Sequence, residues 1–418
     1  MTAAASSNLN WRDPFRVRSF RFQWTADLAT SWAFEMETIV LGWYILSASG
    51  SVLMLVIYGS LQYLGSLVSP LLGVACDRMG YRTMLWGTRV IYALLALSLA
   101  CLSYFDAFTP EKILLVAAMV GMVRPSDQMM RNALIARTLP ANQLMGALGV
   151  SRMTSESARI AGALAGAGLV AHLGVTAAYV VICLLYICSF VLSRGVEDVN
   201  GESLPAGKSV SVLDDLKSAF VYVWHKPILM GAMFLAFLVN LLAFPFSLGL
   251  LPYVAKNIYA TDQTGLGFLG ASFALGGLMA SLTLSTHRFK LRAAQTMILA
   301  SCAWFVLDLL FALSTHLLVG MLILMLTGFV QSLCMTPLAA VMLRATEKSF
   351  HGRVMGMRML AIWGLPIGLL ISGPLVQTIG YAATAFMYSA LGLLLTLGMT
   401  FHWRKALWHS HSVANAPL

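Results

Sequence analysis

The sequence predicts an all-α membrane protein of twelve transmembrane helices, arranged as two pseudo-symmetric six-helix bundles. Three observations carry this. Hydrophobic residues fill 59% of 418 positions and the mean hydropathy is +0.79, well above the roughly 45–50% apolar usage of soluble domains. Apolar segments long enough to cross a ~30 Å hydrocarbon core as helices recur from residue 20 to residue 403. A hydrophilic interval at 195–225 divides them six and six.

In chain order the spans are expected at 20–47, 52–76, 84–105, 111–131, 150–173 and 175–194, then at 226–255, 263–285, 292–314, 317–343, 355–378 and 381–403. Residues 1–194 therefore form an N-terminal bundle, 195–225 a cytoplasmic linker, and 226–418 a C-terminal bundle with a short cytoplasmic tail. Within the linker, "SVLDDLKSAFVYVW" has Ser211 as a cap and apolar residues at Val212, Leu216, Ala219, Phe220 and Val223, the pattern of a short amphipathic helix. The N-terminus has no apolar stretch followed by a small-residue cleavage site, so the first span is expected to be retained.

Basic residues alternate from turn to turn. Arg12, Arg16, Arg18 and Arg21 precede the first span, and Lys or Arg fills each even-numbered turn and the tail, whereas only Lys112 and Lys256 stand opposite. Lys and Arg concentrate on the cytoplasmic side, so both termini are expected in the cytoplasm of a cell whose inner membrane the chain spans. The net charge of +10 then has a topological cause and implies no nucleic-acid partner. Cysteines 76, 101, 183, 188, 302 and 334 all fall in spans without CxxC or Cys/His clustering, which argues against a disulfide framework or a metal site. No cofactor is expected.

Sliding the chain by 206 residues aligns 152–174 with 358–380, so that Arg152, Met153, Gly162, Leu164, Leu169, Val170 and Gly174 recur as Arg358, Met359, Gly368, Leu370, Leu375, Val376 and Gly380. A weak repeat between two six-span halves is what transporters built from parallel repeats show.

The turn "GVACDRMGYR" after the second span resembles the signature turn of the major facilitator superfamily through Gly73, Asp77, Arg78, Gly80 and Arg82, with Tyr81 where that family usually has Arg. The resemblance implies the major facilitator fold, and a cytoplasmic latch in which Asp77 faces the start of span 11 near Gly352 to Gly356. Gly80 suits a positive φ at the reversal. Within the superfamily the chain is similar to the enterobactin exporter-like and macrolide efflux-like branch, through "TADLATSWAFEMETIVLGWYIL", "ALIARTLPANQLMGALGV" and the linker helix before "HKPIL". In span 5, "GALAGAG" with Gly162, Gly166 and Gly168 resembles the family's glycine-rich antiporter motif, Ala163 replacing its proline.

Ionisable residues inside a membrane are candidate functional sites. Span 1 holds Asp27, Glu35 and Glu37. At ~1.5 Å per residue, Asp27 lies about 9 Å deep and Glu35 about 21 Å deep, close to the middle of the protein's thickness. Glu35 and Glu37 are roughly 200° apart around a helix and cannot share one cavity; Glu35 is the candidate lining residue. Span 4 returns Arg124 to the depth of Asp27, which makes an Asp27–Arg124 pair an expectation, with Asp127 one turn on. Glu35 or Asp27 could carry a proton, act as a fixed hydrogen-bonded carboxylate, or bind a cation. In the second half Asn240, Asp308 and Gln331 reach mid-depth, as cavity lining or as hydrogen-bonding glue between helices. Trp32, Phe34, Phe244, Phe246 and Trp363 are candidate aromatic walls.

No HExxH, GxSxG or HxxxxD box is present, and "AGALAGAG" lacks the lysine of a phosphate loop, which excludes the common membrane-enzyme and ATP-driven classes. The expected function is a monomeric secondary transporter exporting a small amphipathic, drug-like or siderophore-like molecule by alternating access with protons as coupling ion. A lysophospholipid flippase or an importer of the same fold is the alternative.

Overall fold

A computed structural model describes residues 13–67, 79–196, 212–285, 292–347 and 350–407. Nearly all of these are helical. In the first half the helices are Arg18–Ser49 (α1), Val52–Leu61 (α2), Tyr81–Tyr104 (α3), Pro110–Thr138 (α4) and Ala141–Ser193 (α5). Val212–Trp224 (α6) occupies the linker. The second half holds Pro227–Leu242 (α7), Gln263–Ser285 (α8), Ala293–Leu313 (α9), Leu317–Ala345 (α10), His351–Ala361 (α11), Gly364–Ile379 (α12) and Tyr381–His402 (α13).

Local chemistry sets the boundaries. Ser51 caps α2 by accepting the Met54 N–H at 3.4 Å, and α4 and α7 begin on Pro110 and Pro227, where a missing N–H costs nothing. α1 ends on Gly50 at φ +65°. Among the described residues, nine helices are long and apolar enough to cross a membrane. Arg18–Ser49 has the length but carries three carboxylates, and Val52–Leu67 is a shorter apolar stretch. Gly174, at φ 82° and ψ 172°, breaks α5 into two crossings. Gly380, its repeat mate, sits at φ 86° and ψ 164° between α12 and α13, so the same reversal is built twice.

Span 7 does not stay α-helical. Beyond α7 the chain passes through wide π-type turns at Pro245–Gly249 and Val254–Ile258, where Pro245 and Pro252 supply no N–H to the ladder. Bulged turns of this kind are frequent at functional sites.

Arg82, Arg194, Lys226 and Arg404 mark one membrane face, called here the basic face. Arg82 there donates to the Arg194 carbonyl at 3.2 Å and covers the Trp86 ring. Linker helix α6 docks on the second half at this face: Tyr222 stacks on Phe350 with centroids 4.2 Å apart, and Lys226 Nζ lies 3.1 Å from Glu347 Oε1. The ammonium holds the Glu347 carboxyl below its ordinary value. On the opposite face the two halves meet, with Lys256 Nζ donating to the Leu46 carbonyl at 3.4 Å. Between the faces, Ser60 Oγ of α2 donates to the Pro366 carbonyl of α12 at 3.2 Å.

Candidate functional site

A cavity of about 180 Å³ lies between the two halves. Its polar wall comes from the first half: Phe34 and Glu35 of α1, Tyr58, Gln62 and Tyr63 of span 2, Arg124 of α4 and Arg159 of α5. The facing wall is apolar and is built by Leu248, Leu251, Leu266, Leu365 and Leu369 of the second half. The irregular part of span 7 supplies Leu248, Gly249, Leu251 and Pro252, so its departure from an α-helix shapes the cavity directly.

Two glycines set Glu35 at this wall. A Cβ on Gly162 would fall against Glu35 Cβ, and one on Gly166 against the Met36 backbone. Only glycine lets α5 lie this close on α1. Gly168, the third glycine of the span 5 pattern, has nothing within 4 Å of its Cβ position and takes no part in the crossing. Span 2 and α4 approach in the same way: a Cβ on Gly121 would meet the Leu61 carbonyl, one residue before Gln62.

Glu35 Oε1 lies 3.7 Å from Arg159 Nε, and Arg159 Nη1 lies 3.3 Å from Glu156 Oε2. Glu156 is buried against α8 and also accepts from Arg152 at 2.8 Å, whose side chain is exposed. A string of alternating charge therefore runs Glu35, Arg159, Glu156, Arg152, from the cavity toward the basic face. Arg124 takes a different partner set. Its Nη1 donates to Gln62 Oε1 at 2.8 Å and its guanidinium covers the Phe34 ring at 3.2 Å from the centroid.

The expected Asp27–Arg124 pair is not formed. Asp27 Oδ1 lies 2.7 Å from Arg89 Nη2 and 3.2 Å from Arg131 Nε, while Asp127 lies 3.3 Å from Arg89 and 2.7 Å from Arg131. The two carboxylates and two guanidiniums form a closed, buried, neutral cluster of α1, α3 and α4. Thr30 and Ser31 accept from Arg89 and Arg131, and Gln23 donates to the Arg131 carbonyl. Arg124 sits seven residues, almost two full turns, from Arg131 on nearly the same face of α4, so what separates it from Asp27 is ~10 Å of height: Arg131 is level with Asp27, and Arg124 is level with Phe34 and Gln62.

Glu37 points away from the cavity and accepts from the Tyr186 hydroxyl at 3.0 Å inside the first half. Of the second-half candidates, Asn240 donates to the Ala236 carbonyl of its own helix, Asp308 Oδ1 accepts from Ser247 at 2.6 Å, and Gln331 accepts from Ser332. None of the three is among the cavity-lining residues, and of the five candidate aromatics only Phe34 is. Gly73, Asp77 and Arg78 lie outside the described residues, so the expected latch does too. Gly80 has φ +84° at the start of α3.

Arg89, Glu156 and Arg159 do not figure in the sequence-based reading, and Arg131 belongs there to the Lys and Arg residues that fill the even-numbered turns. The i,i+4 spacing of Arg152 and Glu156 and the i,i+3 spacing of Glu156 and Arg159 were available signals; Arg89 offered none. Among the described residues no cluster of His, Cys, Asp or Glu could hold a metal ion.

A family model described as Major Facilitator Superfamily matches residues 26–362. The multidrug efflux pump Tap of Mycolicibacterium fortuitum is 25% identical over 374 residues, covering 86% of this chain and 89% of its own. Solved structures of similar architecture include the nucleoside transporter NupG (TM-score 0.68, 14% identity, 93% of this chain and 99% of that one). A D-xylose-proton symporter is also similar (TM-score 0.67, 12% identity, 91% and 96%).

Proposed function

Because the chain belongs to the major facilitator superfamily and is thus a secondary transporter of a small molecule rather than an enzyme, we propose that it exports an amphipathic, drug-like or siderophore-like compound in exchange for protons. The observation that carries the proposal is Glu35: a carboxylate at the wall of the inter-half cavity, sharing Arg159 with Glu156. Neutralising Glu35 with a proton removes one of the two carboxylates that hold Arg159 and leaves the other. Cargo and proton thereby compete for the charge balance of one cavity, which is what an exchanger requires. The likeness to a multidrug efflux pump supports the outward direction, and the basic face is then cytoplasmic.

Inverted vesicles with an acid interior test this. A ΔpH dye is followed while siderophores, macrolides and lipophilic compounds are added singly. At least one compound is expected to collapse the gradient with the native protein, and Glu35→Gln to abolish that response. A gradient that the panel leaves untouched, or a Glu35→Gln protein that responds like the native one, contradicts the proposal.

A further inference from the structure

We infer that the cavity recognises an organic anion, a ligand with one carboxylate, sulfonate or phosphate group on an apolar body, and that Arg124 binds that group. This rests on the cavity being the transport site. One carboxyl group and two guanidinium groups line it, Glu35, Arg124 and Arg159, so basic groups outnumber acidic ones at its wall. Arg159 is already served by Glu35 and Glu156. Arg124 is not: among the described residues no carboxylate lies within 4.0 Å of it, and its one hydrogen-bond acceptor is the neutral Gln62 amide. Glu37, on the neighbouring stretch of α1, lies behind the wall, accepts from the Tyr186 hydroxyl and acts on Arg124 through space without touching it.

Membrane-embedded cations are ordinarily paired, and the two arginines of the buried cluster each have two carboxylates. Arg124 is instead held in place with no carboxylate in contact among the described residues. Gln62 fixes one edge of the guanidinium and the Phe34 ring supports its face, so most of its five N–H donors remain for a planar or tetrahedral oxyanion. Opposite stand Leu248, Leu251, Leu365 and Leu369, which suit an apolar body and offer no polar group to a second charge. A cationic cargo would meet Arg124 directly and would have to displace Arg159 to reach Glu35.

The test uses the purified full-length protein in neutral detergent and three probes that share one ring system: naphthalene-2-sulfonate, naphthalene-2-sulfonamide and 2-naphthylmethylammonium. Calorimetry is expected to show the sulfonate binding about tenfold or more tighter than the other two, the scale of a charge-assisted hydrogen bond. Arg124→Gln should remove that preference. Arg124→Lys should retain part of it, since the charge stays while the planar fork is lost; if Arg124→Gln does not fold, the lysine variant and the native probe series decide. Tighter binding of the ammonium probe, or sulfonate binding unchanged in Arg124→Gln, overturns the inference. Lysophosphatidylglycerol separates the two sources of the anion. Displacement of the sulfonate in an Arg124-dependent way identifies a lipid headgroup, and absence of displacement identifies a water-soluble anion. Proton-linked efflux with a preference for the ammonium probe defeats this inference alone, whereas Arg124-dependent sulfonate binding without any proton-linked movement defeats the efflux reading alone.

Discussion

Arg89 is wholly buried yet bridges Asp27 and Asp127, and Arg131 bridges the same two carboxylates from the next helix. Each charge has two opposite neighbours, so removing any one of them strands a partner in low dielectric. Replacing Arg89 with Leu is expected to lower stability in detergent by about 3–5 kcal/mol, read as a fall in the thermal midpoint. Adding Asp27→Asn to Arg89→Leu should recover part of the loss, because the stranded carboxylate is gone. Little of this cluster was legible in the sequence. Depth arithmetic inherits the softness of the span boundaries, and so it paired Asp27 with Arg124, which lies on nearly the right face of α4 but ~10 Å from the level that Arg131 occupies. Arg131 lies close enough to a basic turn to read as a topology marker.

At the scale of elements, the sequence was more informative where backbone conformation is the constraint. The repeat that aligns Gly174 with Gly380 corresponds to two reversals with φ near +82° and +86°. A Cβ at either position meets nothing within 4 Å, so the cost of Gly174→Ala or Gly380→Ala is conformational, not steric. Each substitution should destabilise by about 1–3 kcal/mol, and the two by similar amounts; thermal unfolding of the pair checks it. The span 5 glycines were legible as a pattern, but their physical reason appears only once α1 is packed on α5 and Glu35 lies under Gly162. The bulged turns of span 7 left a trace in Pro245 and Pro252, too weak on its own to announce that this stretch walls a cavity. Asn240, Asp308 and Gln331 are at mid-depth yet serve their own bundle, which composition could not distinguish from lining.

For the whole molecule, the proposed alternating access requires the two halves to part at the contacts between α2 and α12. A Cβ on Gly373 would touch the Val56 side chain, so Val56→Cys with Gly373→Cys, in a background lacking the native cysteines, should cross-link the halves under oxidation. Transport is expected to stop on oxidation and return with a reductant, whereas each single variant should keep its activity. The four-charge cluster of the first half adds one more consequence. Its two Asp and two Arg charges sum to zero, so displacing them together along the membrane field performs no net electrical work. A single unbalanced charge crossing 100 mV would contribute roughly 2.3 kcal/mol. The membrane potential is left to act through groups that are not balanced in this way, Arg124 and, on the proposed reading, the proton and the cargo among them.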